Sequence, residues 1–159
     1  MWDSVMFSSY AITNLVSESM TVEEWIYLFA KHMEEYQKPK VVSSEQILKV
    51  LNNNEYLKAQ GRCDWTVLGA AVSNNNLNLM KYFISKDPLL VNSMVSENHT
   101  ALQLAIVKGH IEAVKLLLEL GAVPDLGNKE GILTCLQIAK KCGNEEIINL
   151  LTVTREVIM

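Results

Sequence analysis

Residues 99 to 122 read HTALQLAIVKGHIEAVKLLLELGA, a run of good helix formers split by Gly109-His110. Leu102, Ala105 and Ile106 recur at helical spacing before the break, and Val114, Leu117 and Leu118 do so after it. The spacing predicts two short amphipathic helices. Gly109 suits a left-handed cap that ends the first, and a tight turn sends the second back antiparallel to it. Helices of two or three turns are marginal alone in water, so each pair must be held by neighbours. That need predicts copies elsewhere in the chain.

Copies are present. Thr66, Thr100 and Thr134 stand at intervals of 34 residues and open the blocks TVLGAAVSNNNLNLMKYFI, TALQLAIVKGHIEAVKLLL and TCLQIAKKCGNEEIINLLT. Each threonine is placed to cap a first helix, its hydroxyl accepting from an orphan amide of the opening turn. Ala70, Ala71, Ala105 and Ala139 let first helices of successive blocks approach closely. Tyr82-Phe83-Ile84, Leu116-Leu117-Leu118 and Leu150-Leu151 supply a buried seam on the second helices. One block cannot cover its own apolar face, so the stable unit is a stack.

The middle block resembles an ankyrin repeat, whose period is about 33 residues. It matches the family pattern at Thr100, Leu102, Ala105, Gly109, His110, Glu112, Val114, Lys115, Leu116, Leu117, Leu118, Gly121 and Ala122. The outer blocks depart from it in readable ways. Asn75 replaces the turn glycine, and asparagine tolerates positive φ better than other side chains. The histidine of the family's T-P-L-H box is replaced by Gly69, Gln103 and Gln137; glutamine still bonds a backbone group, whereas Gly69 cannot, so the first repeat is expected to be loosest there. The third block has one extra residue between Gly131 and Thr134, expected to bulge its finger loop. Lys140, in place of a helix-lining alanine, points to a solvent-facing end of the stack. The resemblance implies an all-α ankyrin-repeat solenoid, with repeats at about 61–93, 94–127 and 128–159.

Residues 1–60 are expected to form a helical N-terminal cap or degenerate repeat. In TVEEWIYLFAKHMEEYQ, Val22, Trp25, Ile26, Phe29, Met33 and Tyr36 share a stripe, and Thr21 with Glu24 makes a capping box over a helix 22–37. Ser43 and Gln46 repeat the device before Ile47, Leu48 and Leu51, and a weaker helix is expected over Asp3–Val16. Tyr27 and Leu28 lie off the main stripe and are available as interface anchors.

Composition narrows the function. A net charge of −4, with 14 Lys and Arg scattered singly or in pairs, provides no basic stripe for a phosphate backbone, so nucleic acid is not expected as a partner. No stretch reads as a membrane span or a cleaved signal. The three cysteines, Cys63, Cys135 and Cys142, form no metal-binding or disulfide pattern, which fits a reducing, cytoplasmic compartment. Neither nucleophile-and-base pairs nor phosphate-cradling loops are found, so no enzyme and no cofactor are expected. His110 is read as structural, His32 as solvated, and His99 as a finger-loop residue open to binding.

In the ankyrin family, partners are generally held by a concave face made of finger tips and the open side of each first helix. By position, the resemblance implies contacts from Arg62, Cys63 and Trp65 in the first finger and from Ser96, Glu97 and His99 in the second. Lys129, Glu130 and Ile132 follow from the third finger, and Ser73, Asn74, Val107, Lys108, Lys141 and Cys142 from the first helices. The expected function is non-catalytic binding of a protein partner, as scaffold, adaptor or inhibitor, by a monomer. The ending LLTVTREVIM leaves Val153, Val157, Ile158 and Met159 without the polar outer face expected of a terminal cap. It raises two alternatives: self-association through the tail, or a targeting portion of a larger enzyme or secreted bacterial effector acting in a host cytosol.

Overall fold

The computed structural model describes residues 16–36, 57, 66–96, 98–124 and 133–158, with the backbone alone at 29, 30, 32–36 and 158. Seven α-helices follow one another among these residues: α1 Val22–Tyr36, α2 Val67–Ser73, α3 Leu77–Lys86, α4 Ala101–Lys108, α5 Ile111–Glu119, α6 Cys135–Cys142 and α7 Glu145–Ile158. No strand forms among the described residues; Met94 and Thr100 make an isolated antiparallel bridge at the base of the second finger. None of these helices is long and apolar enough to cross a membrane. The expected all-α architecture is therefore found.

Three helix pairs, α2–α3, α4–α5 and α6–α7, form successive layers. First helices pack on first helices (α2 on α4, α4 on α6), and second helices pack on second helices (α3 on α5, α5 on α7). The capping threonines occupy the same corner of every layer. Thr66, Thr100 and Thr134 each have extended backbone, and each hydroxyl accepts from the amide three residues on. Gln103 and Gln137 close the box by accepting from the threonine amides at 2.9 and 2.8 Å. The loose point expected at Gly69 is closed by the next layer instead: the Thr66 amide donates to Val95 O at 3.0 Å, and Gly69 is buried.

The turns between paired helices carry the expected left-handed residue. Gly109 has φ 72°, Gly143 φ 71°, and Asn75, in the same register, φ 54°. Just beyond, Asn76 and Asn144 cap the second helices with their side chains, accepting from Leu79 and Ile147 amides. His110 caps nothing. Its Nε2 lies 3.0 Å from Ser73 O in the preceding layer, and because a carbonyl can only accept, this nitrogen carries the proton.

The N-terminal segment completes the pattern. Asn76 Nδ2 donates to Ser17 O and Met20 O, at 2.6 and 2.8 Å, repeating one layer earlier what His110 does with Ser73. α1 then packs on α3 as a second helix would. Trp25, fully buried, meets Phe83 edge-on at 4.9 Å and tilts against Tyr82 at 6.3 Å. The Thr21–Glu24 capping box forms as expected. Tyr27 stands 67% exposed, off the packed stripe. Phe29, Met33, Tyr36 and His32 lie outside the described side chains, and the helices expected at 3–16 and after Ser43 lie outside the described residues.

One element was not expected. Pro88–Asn92 forms a 3-10 helix, started by proline and capped by Asp87 Oδ1 on the Leu89 amide. Its last residue braces two layers: Asn92 Nδ2 donates to Gly121 O at 3.3 Å, and Oδ1 accepts from the Val123 amide at 2.9 Å. On the outer side Lys115 reaches Glu112 at 3.2 Å and Glu146 of the next layer at 3.6 Å. The hydrogen bond and charge of Glu112 hold its ammonium above the ordinary lysine value, but so exposed a cluster adds little to stability.

Candidate interaction cleft

Residues that end a first helix are free of packing duty when the next layer's first helix stops short of covering them. Along α4, residues 101–106 are buried and Val107 is 45% exposed. One layer on, in the same 34-residue register, stand Lys141 and Cys142, both exposed on the last turn of α6. Between the two helix ends lies a cleft of about 380 Å³, lined mostly by carbon and bounded by Asn98, His99, Gln103, Val107, Leu133, Ile138, Lys141 and Cys142. Its size is at the lower end of the range typical of ligand sites.

The floor is fixed. Gln103 is 1% exposed; it holds the Thr100 amide with Oε1 and donates from Nε2 to Leu133 O at 2.9 Å, tying the base of one finger to the next. Leu133 remains 37% exposed beside Ile138, which is buried, so the floor offers an aliphatic surface. His99 is held within its finger: its carbonyl accepts from the Val95 amide at 2.9 Å, and Nδ1 lies 3.4 Å from Ser96 Oγ. Among the described residues no three His, Cys, Asp or Glu side chains gather as a metal site.

Four residues expected from the sequence, His99, Val107, Lys141 and Cys142, thus meet in one cleft. Lys108 is exposed beside them. Ser96 is buried at 8% exposure, with its hydroxyl 3.4 Å from His99 Nδ1 within the same finger. Ser73 is half-buried with its carbonyl engaged by His110, and Asn74 is exposed with its side-chain amide bonded to Ala70 O. Arg62, Cys63, Trp65, Glu97, Lys129, Glu130 and Ile132 lie outside the described residues.

Leu133, Gln103, Ile138 and Asn98 were missed. The signal for Leu133 was present: it immediately precedes Thr134, the slot that Trp65 and His99 fill before Thr66 and Thr100. By family position, Ile132 rather than Leu133 was expected at the contact. Ile138 reads as core at helical spacing, and nothing in spacing reveals that the last layer leaves its edge open.

The chain matches the family model for ankyrin repeats over residues 41–128. It is 28% identical over 85 residues to ankyrin repeat and SOCS box protein 2 of Bos taurus, covering 54% of this chain and 13% of that protein. To palmitoyltransferase ZDHHC13 of Homo sapiens it is 41% identical over 66 residues, or 42% of this chain and 11% of the other. To Notch-regulated ankyrin repeat-containing protein B of Danio rerio it is 40% identical over 65 residues, 41% of this chain and 57% of the other. The chain therefore spans only a part of each of these relatives, from about a ninth to just over half. Repeats of this type are generally non-catalytic protein-protein interaction modules. With helix pairs stacked in a 34-residue register and a family match across its middle, the chain belongs to the ankyrin-repeat family.

Proposed function

We propose that the chain recognises a partner protein through the cleft between α4 and α6, without catalysis, as a scaffold, adaptor or inhibitor. The observation that carries this reading is aliphatic surface left open where the stack does not need it, at Val107 and Leu133. A rigid floor pinned by Gln103 spares part of the ordering cost of binding. The finger residues Arg62, Cys63, Trp65, Glu97, Lys129, Glu130 and Ile132 extend the contact by their register, with Trp65 as an aromatic anchor. A cytoplasmic setting accords with the exposed thiol of Cys142.

The test is capture from lysate by the tagged chain, read by mass spectrometry, against Val107→Arg, which fills the cleft mouth from an exposed position. Proteins retained by the parent and lost with the variant, at unchanged thermal unfolding, are the expected result. Undiminished capture would move the site elsewhere.

A second reading makes the chain the targeting portion of a larger enzyme. What favours it is that the relatives include a palmitoyltransferase of which the match covers 11%, and that Val153 and Val157 are 58% and 81% exposed. Under that reading the cleft keeps its role and delivers the partner to another domain.

A further inference from the structure

Charge is distributed unevenly between the two rows of helices. The whole chain is acidic, with 18 Asp and Glu against 14 Lys and Arg. Of the second helices, α5 and α7 carry both signs, with Lys115 and Arg155 beside Glu112, Glu119, Glu145, Glu146 and Glu156, while α3 carries only Lys81 and Lys86. The first helices carry only one sign. α2 is uncharged, and α4 and α6 together hold Lys108, Lys140 and Lys141 with no carboxylate. A cation in the last turn complements the helix dipole, which accounts for part of this. It does not account for the absence of every acid from three helices of an acidic chain, and α5 ends with no base at all.

Lys141 lines the cleft itself, next to the aliphatic floor of Val107, Leu133 and Ile138. The cleft thus joins a small apolar seat to the Lys141 cation, and the segment that complements both carries a carboxylate beside an apolar anchor. Resting on the recognition role proposed for this cleft, we propose that its occupant is an extended acidic peptide segment of a partner protein. One aliphatic or aromatic side chain is seated on Val107, Leu133 and Ile138, and a neighbouring carboxylate is drawn to Lys141. Lys140 adds to the field that steers the segment in.

The probe is a displayed library of random dodecapeptides panned against the full chain, with enriched sequences synthesised and titrated by fluorescence anisotropy. Enriched peptides should be net negative and place Leu, Ile, Phe or Trp within three residues of Asp or Glu. Their affinity should fall about tenfold with Lys141→Glu and less with Lys141→Gln. It should fall several-fold as salt rises from 50 to 300 mM, and be lost with Val107→Arg. Circular dichroism melts confirm that each variant is folded. Neutral or basic peptides that still depend on Val107 would overturn the acidic partner and leave the recognition role standing. Binding indifferent to Val107→Arg, or no enrichment, would overturn both. A dimer at high concentration that Val107→Arg dissolves would replace the peptide with a second copy of the chain.

Discussion

At Asn75 two costs meet in one side chain. The backbone is left-handed, where an L-residue other than glycine is strained by roughly 1–2 kcal/mol and asparagine by less, and Oδ1 is shut off from solvent with no donor among the described residues. Asn75→Gly removes both, against an entropic cost of roughly 0.5–1 kcal/mol for the freer unfolded chain. The expected result is a net gain of about 1 kcal/mol, read as a melting temperature higher by about 2–4 °C. Asn75→Val, β-branched and unable to bond locally, should destabilise. Gln103 presents the opposite case. It answers two backbone groups in two layers, so Gln103→Ala should cost about 1–3 kcal/mol for each group left bare, measurable by urea unfolding. A cost below about 0.5 kcal/mol would mean that water replaces it at the cleft floor. Both residues were legible in part from sequence: Asn75 from its turn register, Gln103 from its place three residues after a capping threonine. Its second bond, to Leu133 O, was not, because a contact between fingers has no spacing signature.

α1 shows how an element outside the clear repeats is recruited by the stack. The Trp25 stripe was plain from its period, but its neighbour was not: Tyr82 and Phe83 read equally well as seam residues facing α5. The structure gives them a role toward α1 as well, through the ring cluster around Trp25. Asn76, bonding to Ser17 and Met20, seats the turn that leads into α1. Trp25→Ala should therefore release α1 while α4 and α5 stay folded, costing about 3–5 kcal/mol if the cavity persists and less if α1 simply detaches. Amide exchange separates the cases, since detachment exposes α1 amides first. Leu117→Ala acts differently. It opens a cavity in the fully buried seam of α5, should cost about 2–5 kcal/mol, and loosens every layer that leans on it.

Across the whole molecule, the layers differ in how much they bury, and a stack of near-neighbour contacts turns that difference into a gradient of stability. α4 buries six consecutive residues between layers on either side, whereas α6 buries only Cys135, Ile138 and Ala139 and ends in two exposed lysines. On α7, Ile147 and Leu151 are buried while Val153 and Val157 face outward. Lys140, in the slot that the middle repeat fills with the buried Ile106, already signalled this open end in the sequence. What sequence could not convey is that the same thinning at the last layer leaves Leu133 exposed beside the buried Ile138 and so opens the cleft. Native-state hydrogen exchange should accordingly show the greatest protection in α4 and α5, less in α2 and α3, and least in α6 and α7. Ile147→Ala should lower protection in α6 and α7 with little change in α4, whereas Leu117→Ala should lower it throughout. Uniform protection, with both variants shifting all amides together, would mean that the stack unfolds as one unit and that the cleft is as rigid as the core beneath it.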